Sequence, residues 1–391
     1  MRKNNLEFAL RSGGHCYGPG SLSPGYVLDL SNFNSIIPNV EKQEVYIGAG
    51  CVLGSIIQVL GNINFAIPTG TCATVGLTGL ALGGGIGFLV RQYGLTSDSI
   101  KSITMVDANS NVIEVTATNK YSDLFWALCG AGGGSFGVVL GFTFKMYYIP
   151  KATFVKLQFD WNSTNILELF QTWQSWVQTL PSDIASELAF FYRFGKPSIS
   201  IDAFRPNAKP FTQWKIFNQF NPTVNITTGT YLTCAKKFAD TYTEPFTKVK
   251  SKFIFSPLPN AAIQVIIDYI NQLKAIKFPV LFFSEFGIGG GKLAQGNSSY
   301  FPRNAFLYNF QFMYWNLENE SNEAISSLDT FYNNFAPYTS AYSYANLIDY
   351  QLGDTYLNAY YGTHVNRLIR IKNKYDPLNI FKWKQSIPLK I

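Results

Sequence analysis

The sequence predicts an α+β protein built from two packed domains. Two observations carry this reading. At roughly 100–200 residues per domain, a chain of 391 residues fills two domains. Hydrophobic residues make up 47% and charged residues only 14%, the reverse of a disordered composition, so most of the chain buries a large core. The second observation is a change of texture near residue 150. Glycine clusters and short apolar runs precede it, while longer alternating stretches and helical patterns follow it.

In order along the chain, the short runs 6–10, 26–30, 44–47, 102–106, 112–115 and 138–144 read as strands joined by glycine turns. An aromatic-apolar helix runs through Leu124–Leu128. Beyond residue 150, the stretches 153–161, 189–194, 198–204, 280–286 and 305–315 alternate as strands do. Ile263, Ile266, Ile267, Ile270 and Leu273 share one helical face, as do Ile325, Leu328, Phe331 and Phe335. Tyr361, Val365, Leu368, Ile369 and Lys372 predict a last amphipathic helix, stopped at Asp376-Pro377. No internal repeat or low-complexity linker interrupts the pattern.

Charge and cysteine usage narrow the functional class. The net charge of +7 owes much to Arg367, Arg370, Lys372, Lys374, Lys382, Lys384 and Lys390 near the C-terminus, expected as a solvated helix face. No nucleic-acid partner is expected from so local an excess, although a surface for an anionic partner is the alternative reading. Five cysteines in a chain of this length do not form a disulfide scaffold. The longest uncharged apolar stretch, 75–90, is too short and too glycine-rich to span a bilayer. The start carries no apolar signal segment. Sequons at Asn162, Asn225, Asn297 and Asn319 barely raise the expectation of secretion in an Asn-rich chain. His15 and His364 have no partner at ligand spacing and no C-x-x-C occurs, so no metal is expected.

Three glycine segments carry the chemistry. In Arg11-Ser12-Gly13-Gly14-His15, adjacent glycines let successive amides turn toward one point and bind anionic oxygens. A second segment runs from Pro68 through Cys72, Val75, Gly76, Gly79, Gly83, Gly84 and Gly85 to Gly87. It lacks the spacing of a dinucleotide fingerprint or a phosphate loop and reads as a surface over which a flat, extended ligand lies on the backbone. Its alternative reading is close packing of helix and loop. The third segment, Gly130–Gly137 followed by Val138, repeats the device.

These three segments, together with Asp123-Leu-Phe-Trp-Ala-Leu, Tyr344-Ala-Asn346, Tyr360-Tyr-Gly and Asp376-Pro-Leu-Asn-Ile-Phe381, resemble the berberine bridge enzyme-like oxidases of the vanillyl-alcohol oxidase superfamily. The resemblance runs in order over nearly the whole chain. It implies a two-domain PCMH-type FAD-binding fold: residues 1–150 plus 345–391 bind FAD, and 151–344 form a substrate domain with an antiparallel sheet backed by helices. It also implies two covalent bonds to FAD, through His15 and Cys72, with Arg11, Ser12, Gly13, Gly14, Val75, the glycines of the second segment, Val138, Asn346 and Phe381 around the cofactor. An imidazole nitrogen and a thiolate are the nucleophiles such bonds need. Valine at position 75, where leucine tends to block the gas, implies access for dioxygen.

The chain departs from the family pattern in three places. Few residues precede Arg11, so a late or trimmed start is expected. Leu347 stands where several members place a catalytic tyrosine. Phe301-Pro302-Arg303 lacks the family's histidine. The expected function is an FAD-dependent oxidase that passes hydride from an alcohol or carbohydrate-like small molecule to flavin, with dioxygen accepting the electrons as hydrogen peroxide. Tyr344 is the first choice for the base and Glu285 the second, with Gln311 and Asn309 as further polar candidates. The alternative is a flavin-loaded scaffold with reduced catalysis.

Overall fold

The structure is a computed structural model that describes residues 7–193, 195–238 and 246–390. Leu6 and Phe194, at the ends of two predicted strands, lie outside the described residues. Two antiparallel sheets dominate. In the first, strands Ile36–Asn39, Glu44–Gly48, Val138–Lys145, Ile100–Val106 and Val112–Thr116 lie in that spatial order. Helices Leu53–Asn62, Leu77–Leu82, Ser122–Ala131 and Val365–Tyr375 contribute apolar faces to the same core. Strands Phe8–Arg11 and Tyr26–Asp29 pair in parallel beside it, so the Ser12–His15 turn leaves the end of a strand.

The second sheet has seven strands in the order Thr223–Gly229, Ala152–Phe159, Lys196–Arg205, Ala185–Arg193, Val280–Ile288, Leu307–Trp315 and Phe246–Ile254. Successive side chains on a strand point to opposite faces. One face, with Phe282, Phe286, Leu307, Met313 and Trp315, packs under helices Ile166–Thr179, Asn260–Gln272 and Ser321–Phe335. The other, with Leu281, Phe283, Tyr308, Phe310, Phe312 and Tyr314, joins Ile86, Val90, Tyr344 and Leu347. That aromatic face therefore looks onto the glycine loops. No helix among the described residues is long and apolar enough to cross a membrane.

Two local readings change. Tyr361 ends a separate short helix, Tyr356–Tyr361, because Gly362 takes a positive φ of 48° and breaks the run before Val365. The basic C-terminal stretch is not uniformly solvated. Lys372 is fully buried, and its ammonium donates to the Asp376 carboxylate and to the carbonyls of Ser135 and Phe381, each at 2.7 Å. Asp376 in turn accepts from the amides of Ile380 and Phe381. This pair ties the chain's end to the third glycine segment, where Ser135 Oγ accepts from the Ile387 amide.

Removing one partner of a buried ion pair strands the other charge and typically costs about 3–5 kcal/mol. Lys372→Ala is expected to lose that much in urea denaturation. Lys101→Ala, which removes a half-exposed partner of Glu44, is expected to lose at most about 1 kcal/mol. Equal losses would contradict the assignment of Lys372 as a buried anchor.

Candidate functional site

The glycine loops and the aromatic sheet face enclose one continuous cavity of about 1010 Å³. That is at the upper end of the roughly 300–1,000 Å³ of ordinary ligand pockets, enough for an extended ligand. Its geometry starts from a backbone contact. A Cβ on Gly13 would fall 2.4 Å from the Gly76 nitrogen, and one on Gly76 would fall 2.5 Å from the Gly13 nitrogen. Only two glycines let these loops touch. The first loop is held by Ser12 Oγ donating to the Ala49 carbonyl at 2.6 Å. The second is held by the Leu53 and Gly54 amides, which donate to the carbonyls of Val75 and Ala73.

This contact brings His15 and Cys72 together. The Cys72 sulfur lies 3.9 Å from His15 Nε2, and both side chains line the cavity. Burial works to raise the Cys72 thiol, but hydrogen bonds from His15 and Thr74 outweigh it, and the thiol sits below its ordinary value. Two nucleophiles, one with enhanced thiolate character, thus face the cavity from loops far apart in sequence.

The closing segment approaches from the opposite side. Tyr344 is buried; its oxygen accepts from the Gly85 amide at 3.1 Å and from Asn346 Nδ2 at 2.8 Å. Its ring stacks on Phe310 at 5.3 Å, and its own amide donates to Ser251 Oγ. Burial pushes its hydroxyl up to about 12, against the lowering by Asn346 and the Gly85 amide. Asn346 also donates to the Leu80 carbonyl and occupies the space that a side chain on Gly83 would need. Leu347 lines the cavity as an apolar residue.

Most of the expected cofactor residues line this space: Ser12, Gly13, Gly14, His15, Cys72, Val75 and Gly76 at one end, and Gly79, Gly83, Gly87, Asn346 and Phe381 further along. Arg11, Gly84, Gly85 and Val138 do not line it; Arg11 is exposed, with its guanidinium beside Gly14. Gly85 acts through its amide on Tyr344, and Val138 packs with Leu30 and Phe381. Among the proposed polar groups, Tyr344 and Glu285 reach the cavity. Asn309 and Gln311 do not. Strand alternation turns both to the helix-covered face, where Asn309 Nδ2 donates to Ser284 Oγ at 2.9 Å and Gln311 Nε2 to Asn309 Oδ1 at 2.7 Å. Arg303 is committed to Asp98, with N–O distances of 3.0 and 2.7 Å.

Several cavity residues escaped the sequence reading. Tyr17, two residues after His15, packs on Phe312 at 5.7 Å and hydrogen-bonds Tyr314. Burial, with Cys72 and Glu285 nearby, holds its hydroxyl above the usual tyrosine value. Tyr308 donates to Glu187 at 2.9 Å. The tyrosine shares its strand face with Phe310, a signal the alternation already held, whereas Glu187 precedes the span predicted as strand. Beyond them Phe283 and Phe312 stack at 4.3 Å.

The residues present fit FAD. Gly79 and Gly133 line the cavity with nothing within 4 Å of the position a Cβ would take, so the wall there is bare backbone against which a flat or phosphate-bearing ligand can lie. Comparison with known proteins agrees. Residues 1–116 match the FAD binding domain family and residues 343–388 the family described as berberine and berberine like. The FAD-linked oxidoreductase YgaK of Bacillus subtilis is 31% identical, over 99% of this chain and 87% of its own length. Tetrahydroberberine oxidase of Argemone mexicana is 28% identical, over 99% of this chain and 79% of its own. The solved structure of Physcomitrella patens BBE-like 1 superposes with a TM-score of 0.88 at 27% identity, covering 100% of this chain and 88% of that one.

Gly13→Ala tests the contact on which the site rests. The variant is expected to keep native far-UV circular dichroism but lose most of its flavin absorbance per polypeptide, because the Cys72 loop must withdraw. Full flavin content would show that the close approach is dispensable.

Proposed function

The chain belongs to the berberine bridge enzyme-like family of FAD-linked oxidoreductases, and from that premise we propose that it is an oxidase of alcohol or carbohydrate-like donors. The donor's CH–OH group would be oxidised at the expense of dioxygen, giving hydrogen peroxide. The observation that carries the reading is the meeting, in one cavity, of the His15–Cys72 pair with an aromatic wall bearing Glu285. Bound FAD supplies the hydride acceptor and the route to dioxygen. His15 and Cys72 would hold the ring, each by one covalent bond. Val75, which lines the same cavity as Cys72, would be the residue that admits dioxygen to the ring.

The proton of the donor's hydroxyl goes to Glu285. A base needs contact geometry and an available lone pair. Glu285 faces the cavity from the strand Val280–Ile288, close enough to Tyr17 to influence its ionisation. Tyr344 is less suited to this task than the sequence suggested. Its oxygen already accepts two N–H bonds, and with its hydroxyl at about 12 it stays protonated at neutral pH. It serves instead as a fixed phenol that orients the donor, with Leu347 beside it supplying only apolar surface. The stacked rings Phe283, Phe312 and Tyr314 offer flat faces to a ring-shaped donor. The carboxylates of Glu187 and Asp202 in the same cavity suit a donor that carries several hydroxyls.

The covalent attachment is tested by mass. Denatured wild type is expected to stay yellow and exceed the polypeptide mass by one FAD. His15→Ala and Cys72→Ala are each expected to keep one bond, and only the double variant should release flavin into acid. Release of all flavin from acid-treated wild type would rule the attachment out.

Loss of a general base lowers turnover by about 10²–10⁴-fold. With a donor that bleaches the wild type, Glu285→Gln is expected to slow anaerobic flavin reduction by that factor, and Tyr344→Phe by much less. The opposite order would return the base to Tyr344.

A further inference from the structure

Two nucleophiles that attach one ring must each be presented in reactive form. The imidazole needs a nitrogen with a free lone pair, and the thiol needs thiolate character. In the structure a third side chain touches both. Thr74 Oγ1 lies 2.9 Å from His15 Nε2 and 3.4 Å from the Cys72 sulfur. Although Thr74 is exposed, its place is set by the backbone around it. The Val75 amide donates to the Cys72 carbonyl and closes a turn, and the carbonyls on either side, of Ala73 and Val75, accept from Gly54 and Leu53.

We propose that Thr74 is the positioning residue for flavin attachment, with one hydroxyl holding His15 and Cys72 in their reactive forms. The inference rests on the two-bond reading above. A threonine hydroxyl has one donor hydrogen and two acceptor lone pairs, so it can accept from His15 Nε2–H while donating to the Cys72 sulfur. The first bond fixes the tautomer and leaves Nδ1 as the nucleophilic nitrogen. The second adds to the His15 contact with the sulfur and to the Thr74 amide in stabilising negative charge there, and together these outweigh the burial of the Cys72 thiol. Valine has nearly the same shape and can do neither. Each attachment replaces one C–H of the cofactor by a C–N or C–S bond. Two electrons and two protons, one from that C–H and one from the imidazole or thiol, pass to dioxygen as hydrogen peroxide.

The test follows attachment rather than turnover. Full-length wild type, Thr74→Val, Thr74→Ala and Thr74→Ser are sampled during expression with FAD in excess. Acid-stable flavin is quantified by intact mass, and the histidyl linkage isomer is assigned by NMR on the proteolytic flavin peptide. Wild type and Thr74→Ser are expected to carry both bonds, with the histidine linked through Nδ1. Thr74→Val and Thr74→Ala are expected to accumulate the sulfur bond about tenfold to a hundredfold more slowly, the loss expected when a hydrogen bond to a charged group is removed. Part of their histidyl linkage is expected to move to Nε2. A general loss of fold would lower all flavin alike and would not change the isomer. The proposal is overturned if both hydroxyl-free variants match the wild type in rate and isomer. If the wild type itself releases all its flavin into acid, the two-bond reading fails first and the role of Thr74 falls with it, a result told apart by the wild-type sample alone.

Discussion

The contact between the backbones of Gly13 and Gly76 is the constraint on which the rest depends. Amide and α-carbon atoms meet with no room for a methyl group, so two loops from distant parts of the chain share one edge of the cavity. The nucleophiles follow from it, because His15 and Cys72 sit just beyond the contact on either strand of chain. The supports are ordinary ones: hydrogen bonds to the Ala49 carbonyl from Ser12 and Thr78, and the start of the helix Leu53–Asn62 under the second loop. What is unusual is the near absence of side chains where the loops meet. Gly83 repeats the principle at the other end, where the missing side chain is replaced by Asn346 of the closing segment.

The wall opposite is made in another way. A seven-stranded sheet presents alternate residues to two faces, and this one divides them by chemistry. The helix side buries aliphatic and aromatic bulk in a dry core. The cavity side carries a band of stacked rings beside a row of polar groups that crosses the strands in register, Lys156 opposite Asp202, Asp202 opposite Glu187, and Glu187 opposite Gly287. Gly287 matters here because Tyr308 lies across it; a Cβ there would come within 1.9 Å of the ring. The tyrosine thereby reaches Glu187 on the strand beyond. Apart from Tyr344 on the closing segment, rigid strands thus hold the groups assigned to the donor, while glycine loops hold most of those assigned to the cofactor.

Much of this was legible in the sequence because local signals agreed with one another. Glycine runs, alternating strands and one-sided helices each pointed to their own element, and the ordered motifs pointed to FAD. The errors share a physical origin in tertiary placement. Asn309 and Gln311 were read as site residues from their polarity, yet parity sets them behind Phe310 and Phe312. Lys372 was read as solvated from the charges around it, yet one turn of helix brings it onto Asp376 in the interior. The strands Thr223–Gly229 and Phe246–Ile254 went unseen, the first exposed on most of its length and the second interrupted by three lysines. Two of those lysines, Lys250 and Lys252, are buried under Tyr332, a placement that no local pattern reveals. The helix Tyr231–Phe238, which joins the core of the first sheet from the middle of the chain, was missed for the same reason.

The claim that one cavity joins a flavin seat to a donor wall is tested most directly by anaerobic titration of the purified protein with sugars, aliphatic alcohols and aromatic alcohols, followed by admission of dioxygen. The account predicts that at least one CH–OH donor bleaches the flavin, and that dioxygen restores the colour with one hydrogen peroxide released per donor oxidised. Flavin that dithionite bleaches readily but no donor reduces would contradict it, and would mark the protein as a flavin-loaded scaffold.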